Sequence, residues 1–232
     1  MEEDKNQLFF YRVAMIQKFK NFVSYLVPFV KNRASEFNGT LKIMLVNGKK
    51  VLNTRDANYS YGSLHRIMRF ALKETGFHGQ EDILLLGLGA WSAIELIRNE
   101  FGLPNVIRAV DIDPVIIEIA REEFALDSYT DIEIICQDAY QFVQETSKKH
   151  GLLIIDLFIN NKVPEKFYDD VFWEHISHIL SPTGQIIFNT MKVTTKDELF
   201  GSIITRLEQA GFSVAVHDTV DRTNSMILAK RT

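Results

Sequence analysis

From residue 83 onward the chain alternates between two textures. Residues 83–86, 106–110, 132–136, 152–157 and 185–190 are short, nearly continuous apolar runs. Each is followed by a stretch in which apolar residues recur every three or four positions: 92–101, 114–126, 139–147, 165–180 and 196–210. An apolar run of this length fits a strand buried on both faces, and strands alternating with helices build βαβ units on a parallel sheet. Residues 213–217 and 226–230 flank a polar turn and fit a closing antiparallel pair. The pattern predicts an α/β, doubly wound, mostly parallel sheet of seven strands.

Ahead of this core the texture differs. Two strand-like runs within residues 40–53 are separated by Asn47-Gly48, a dipeptide that tolerates positive φ and predicts a β-hairpin. A polar stretch, 54–58, then leads through Tyr59–His65 into a helix to about residue 74. Within residues 5–33, Phe9, Val13, Ile16, Phe19, Phe22, Val23 and Leu26 keep helical spacing up to Pro28, beside Lys5, Arg12, Lys18, Lys20, Lys31 and Arg33 and no acid. The expected division is a helical segment over 1–38, a hairpin over 39–58 and the α/β core over 59–232. A basic amphipathic helix can lie on a membrane, but aromatic stripes at helical spacing more often pack on protein. The segment is therefore expected at a contact with a second copy of the chain, a homodimer, and not on a membrane.

Composition narrows the classes. The 232 residues are 46% hydrophobic and 24% charged, with 17 Phe, which excludes a disordered chain. A single cysteine, Cys136, rules out an intramolecular disulfide and a paired-cysteine zinc site. The formal net charge of -4 gives no push toward nucleic acid. The acidic start, Glu2, Glu3 and Asp4, does not suit an export signal, so a cytoplasmic setting is expected. No metal is expected: Glu174, His175 and His178 share a helix without a suitably spaced third ligand.

An open doubly wound sheet binds ligand beyond the carboxyl ends of its strands, so candidate chemistry is sought there. The first core strand runs into Gly87-Leu88-Gly89-Ala90-Trp91-Ser92, a tight turn opening a helix whose N–H groups are free. The second ends Asp111-Ile112-Asp113-Pro114. Asp113 reads as a helix N-cap with proline at the first helical position, which leaves Asp111 to hydrogen-bond ribose hydroxyls. The third ends Gln137-Asp138-Ala139, where Asp138 can serve an adenine amino group, the helix cap, or both. The fourth ends at Asp156, a candidate general base or amine anchor. A glycine turn followed by acids at three successive strand ends suits a positively charged nucleoside, the arrangement of S-adenosylmethionine-dependent transferases.

With these motifs in place, the sequence resembles the spermidine-synthase-like branch of the S-adenosylmethionine-dependent transferase superfamily over residues 39–191. The resemblance rests on Val46-Asn47-Gly48-Lys49-Lys50-Val51-Leu52, Tyr59–His65, the Leu84–Gly89 turn, Val110–Pro114, Gln137–Ala139 and Ile154–Phe158. It implies S-adenosylmethionine or its decarboxylated form as cosubstrate, aminopropyl transfer to a small-molecule amine, and a homodimer. It further implies that Gly87, Gly89, Asp111, Ile112, Asp138 and Ala139 bind the nucleoside, that Asp156 takes the amine proton, and that Tyr61 and His65 line the amine pocket. Where the family has Asp then Gly after the second turn glycine, this chain has Ala90 and Trp91; where it has a second Asp beyond the fourth strand, this chain has Ile159. Two further readings stay open: a methyltransferase of undetermined acceptor, and a non-catalytic binding protein in which Trp91 fills the cofactor space. The indole of Trp91 points either into the crevice or into the helix–sheet interface, where apolar filling is needed.

Overall fold

The computed structural model describes residues 15–16, 18–54, 62–89, 91–159, 162–192 and 197–231. Residues 18–23 are helical and lead into a three-stranded antiparallel sheet of β1 (Phe29–Ser35), β2 (Gly39–Val46) and β3 (Lys49–Asn53), in that order. Asn47 and Gly48 take φ of 51° and 72°, so the expected turn joins β2 to β3 with Val46 opposite Lys49. The sequence reading differs at β1, whose residues fall within the expected helical segment. This strand docks by charge: Lys31 pairs with Glu123, and Arg33 with Glu118 and Glu122.

Helix α1 (Ser63–Thr75) follows, then β4 (Ile83–Leu86), α2 (Ser92–Glu95) continued by a π turn (Leu96–Glu100), β5 (Ile107–Asp111) and α3 (Pro114–Phe124). Next come β6 (Ile132–Cys136), α4 (Ala139–Glu145), β7 (His150–Ile155), α5 (Asp170–Ile179), β8 (Leu180–Met191), α6 (Glu198–Gln209), β9 (Phe212–Val220) and β10 (Asn224–Arg231). The larger sheet has seven strands in the order β6-β5-β4-β7-β8-β10-β9, parallel except where β10 pairs antiparallel with β8 and β9. This is the doubly wound sheet that the apolar runs predict. The expected helix over 165–180 opens instead as a 3-10 turn and restarts at Asp170, because Asp169 caps α5 by accepting from Phe172 N–H at 2.7 Å.

The continuous apolar runs are explained by the sheet's two covered faces. In β4, Ile83 and Leu85 join the core built with Met68, Ile97 and Ile119, while Leu84 and Leu86 join the opposite core with Phe142, Trp173 and Phe200. Side chains alternate across a strand, so both parities must be apolar when helices cover both faces. Strand order reverses at β4, which lies between β5 and β7. Chain direction on the two sides therefore diverges there and opens a crevice at the carboxyl ends of the strands.

Candidate active site

The crevice lies at the ends of β4, β5, β6 and β7 and encloses about 590 Å³, open mouth included. Gly87, Gly89, Asp111, Ile112, Asp138, Ala139 and Asp156 all line it. The structure thus gathers every nucleoside position expected from the sequence, together with the candidate base.

The glycine turn is fixed by close packing as well as by φ. Gly87 has φ 89°, and a Cβ there would stand 2.2 Å from the Asp156 carbonyl oxygen. No side chain fits so close to backbone. Gly89 has φ 50°, and a Cβ on it would lie 3.5 Å from Asp156 Oδ2. This oxygen therefore sits beside the turn, on the side where a ligand would pass.

Asp111 closes β5 with both oxygens in use. Oδ2 accepts from Leu88 N–H at 2.9 Å and Oδ1 from Asp113 N–H at 2.8 Å. Burial pushes its carboxyl up to about 6, against the pull of these backbone donors. Each carboxylate oxygen can accept more than one hydrogen bond, so acceptor capacity remains for a ligand hydroxyl. Asp138 caps α4, accepting from Tyr140 N–H at 2.7 Å through Oδ1, while Oδ2 pairs with Lys166. Asp113 is the N-cap of α3 and accepts from Val115 N–H at 2.9 Å. Its other oxygen accepts from Asn38 Nδ2 at 2.7 Å and from the Ser35 hydroxyl, which ties the small sheet to the crevice wall.

Asp156 follows β7 and is buried. Burial pushes its carboxyl up to about 6; the hydrogen bond from Asn189 works against this shift, and the like charge of Asp111 adds to it. Asn189 Nδ2 donates to Oδ1 at 2.8 Å.

The other expected positions fall differently. His65 lies on α1 and is not among the described residues that line the crevice. Its imidazole is held below its ordinary range by burial, with Glu95 acting in the opposite direction. Tyr61 and Ala90 lie outside the described residues. Ile159 stands on the crevice wall. Trp91 takes φ 46° and is buried with its indole stacked on Phe124, so it occupies the interface behind the turn and leaves the crevice open.

Asn38, Lys166 and Asn189 escaped the sequence reading. Asn38 had one available signal, the Asn38-Gly39 dipeptide, which marks a second hairpin turn. Lys166 and Asn189 had none, since each meets its carboxylate only through the tertiary fold.

Comparison with known proteins gives one consistent picture. The profile of the spermine/spermidine synthase domain matches residues 76–224. A polyamine aminopropyltransferase of Sulfolobus acidocaldarius is 26% identical over 175 residues, covering 72% of this chain and 56% of that protein. The chain spans about half the length of the curated relatives it matches, or less. In fold it is similar to a probable spermidine synthase from Corynebacterium glutamicum, with TM-score 0.62 and 15% identity, covering 88% of this chain and 77% of that one. It is also similar to human methyltransferase-like protein 13 in complex with SAH, with TM-score 0.57 and 21% identity, covering 73% and 78% of the two chains.

Proposed function

The chain belongs to the spermine/spermidine synthase family, and we propose that it is a transferase that binds decarboxylated S-adenosylmethionine and moves its aminopropyl group to a small amine. The observation that carries this reading is the placement of Asp111, Asp138 and Asp156 at three successive strand ends around one glycine turn. A nucleoside with ribose hydroxyls and an adenine amino group, set beside a reacting amine, offers hydrogen-bond donors at three points, and buried donors left unpaired are costly. In this reading Asp111 takes the ribose hydroxyls, Asp138 the adenine amino group, and Asp156 the reacting amine. Ile112 and Ala139 supply the wall between them. The acceptor nitrogen's lone pair forms a bond to the carbon next to sulfur as the carbon–sulfur bond breaks. The bonding pair leaves with sulfur as the thioether of methylthioadenosine. The new ammonium then gives one proton to Asp156. Holding nitrogen, carbon and sulfur in line supplies much of the rate.

Methyl transfer from S-adenosylmethionine is the second reading. It is favoured by Ile159, an apolar side chain on the crevice wall where a second ammonium would call for an acid. Titration calorimetry with decarboxylated S-adenosylmethionine, S-adenosylmethionine and methylthioadenosine tests both. Tighter binding of the decarboxylated form supports aminopropyl transfer, and tighter binding of the carboxylated form supports methyl transfer. No binding of any of the three at millimolar concentration overturns both.

The exposed stripe of Phe19, Phe22 and Leu26 supports the further reading that two copies of the chain meet there. Light scattering tests it: a dimer mass in the wild type that falls by half in Phe19→Asp/Phe22→Asp is expected, and a monomeric wild type overturns it. Among the described residues no helix is long and apolar enough to cross a membrane.

A further inference from the structure

Asp156 is the inner end of a buried polar chain that crosses from β7 to β10. Asn189 on β8 is fully buried and Asn224, at the start of β10, nearly so. Thr223 Oγ1 donates to Asn224 Oδ1 at 2.8 Å, Asn224 Nδ2 donates to Asn189 Oδ1 at 2.9 Å, and Asn189 Nδ2 donates to Asp156 Oδ1 at 2.8 Å. The order of donors is forced. An ionised carboxylate only accepts, so Asn189 must turn its NH2 toward Asp156. Its carbonyl then faces Asn224, which must answer with its own NH2. The remaining Asn224 carbonyl takes the threonine hydroxyl. Two amides, Asn189 and Asn224, are thus committed inside an apolar sheet, where each would be costly without its partner.

We propose that Asn189 and Asn224 are positioning residues that lock Asp156 with Oδ1 turned into the sheet, so that a proton from the reacting amine is received on Oδ2, beside Gly89. This rests on the reading of Asp156 as the proton acceptor. Asn189 engages a lone pair of Oδ1 and draws down its basicity, which leaves Oδ2, beside the glycine turn, as the better proton acceptor. The chain also favours the ionised form, since every donor in it points toward the carboxylate. The charged group set against Asp156 is Asp111 at the end of β5, and Asp138 and Lys166, paired with each other, line the same crevice.

The test follows the Asp156 carboxyl directly, by carbon-13 NMR of the protein labelled at aspartate side chains, with Asp156→Asn to assign the signal. Asn189→Leu keeps the branching at Cγ and removes the donor. The Asp156 midpoint is expected to rise by about one pH unit, the scale of one lost charge-assisted hydrogen bond. The acidic limb of the kcat profile is expected to rise with it, while KM for the adenosyl ligand holds. Asn224→Ala, which removes only the second link, is expected to raise the midpoint by less and serves if Asn189→Leu does not fold. An unmoved midpoint in a folded variant overturns the proposal. The titration needs no turnover, so a midpoint that shifts in a protein that binds none of the three adenosyl compounds upholds the positioning chain and rejects the transferase reading instead.

Discussion

At the ends of β5 and β6 the crevice carboxylates are held by backbone N–H groups, two residues ahead in each case and at Asp111 also from Leu88 in the glycine turn, whereas Asp156 is held by a side chain 33 residues away. Asp111 and Asp138 each accept from an N–H two residues ahead, the geometry of a turn or a helix cap. Asp156 instead depends on Asn189, which depends on Asn224. On the proposed function, the difference separates two tasks. The nucleoside end has carboxylates anchored by backbone N–H groups, suited to binding. The transfer end has a carboxylate whose orientation is set by the packed sheet, suited to a proton transfer that must occur on one oxygen. A substitution at one end should therefore change affinity, and at the other rate.

The sharpest way to break this division is Asp156→Asn. Loss of a proton acceptor costs about 10²–10⁴-fold in kcat, with adenosyl affinity nearly unchanged; a matching fall in affinity would erase the distinction between the two ends. The same variant carries a pH signature of opposite sign in stability. The carboxyl is pushed up to about 6 in the fold and lies at about 3.9 in an unfolded chain. Between these values the folded form binds more protons than the unfolded one, so its contribution to stability is present below about pH 4 and is lost as pH rises through about 6. Removing the charge should stabilise the free protein at pH 7 by about 1–3 kcal/mol, and the gain should vanish toward pH 4. Melting temperatures of the two proteins across that range check it.

Trp91→Gly should fall outside the division. The indole stacks on Phe124 behind the turn, and losing a buried large aromatic costs about 3–5 kcal/mol. The backbone at φ 46° is one that glycine adopts without strain, which returns about 1 kcal/mol. The net loss of about 2–4 kcal/mol should appear in chemical denaturation while ligand affinity stays level. Tighter binding without loss of stability would place the indole in the ligand's path. Asp111→Ala should then act on the nucleoside end alone, weakening the adenosyl ligand by about 1.5–3 kcal/mol by calorimetry. Unchanged affinity would put the ribose elsewhere.

The same contrast governs what the sequence could reveal. Periodicity placed the larger sheet because burial on both faces leaves continuous apolar runs, as in Ile83–Leu86. Asp111, Asp138 and Asp156 were legible because strand ends are fixed once strands are. Capping by Asp113 and Asp138 was legible because it is local. Strand β1 was not, since Lys31 and Arg33 dock it on the acids of α3 and apolar periodicity carries no trace of an ion pair. Asn38, Lys166 and Asn189 stayed hidden for a related reason: a lone polar residue gives no sign of the partner that the fold brings to it. His65 was an expectation carried by the family resemblance alone, and on α1 it does not line the described part of the crevice.

The smallest expected effect concerns Lys166, which pairs with Asp138 on the nucleoside side of the comparison. The lysine is 43% exposed, so the pair is screened and worth under about 1 kcal/mol. An adenine amino group approaching Asp138 at Oδ2 shares that oxygen with the ammonium, which takes up part of its acceptor strength. Lys166→Ala removes the competitor and leaves the helix cap intact. Affinity for methylthioadenosine, which has the adenine but no cationic tail, should therefore rise by up to about fivefold. Salt supplies the second arm. Added salt weakens an exposed ion pair more than a hydrogen bond to an uncharged base. Binding to the wild type should strengthen slightly as salt rises, and binding to the variant should not. A loss of affinity in Lys166→Ala would mean that the lysine itself touches the nucleoside, and the nucleoside end would then be built by a distant side chain, just as the transfer end is.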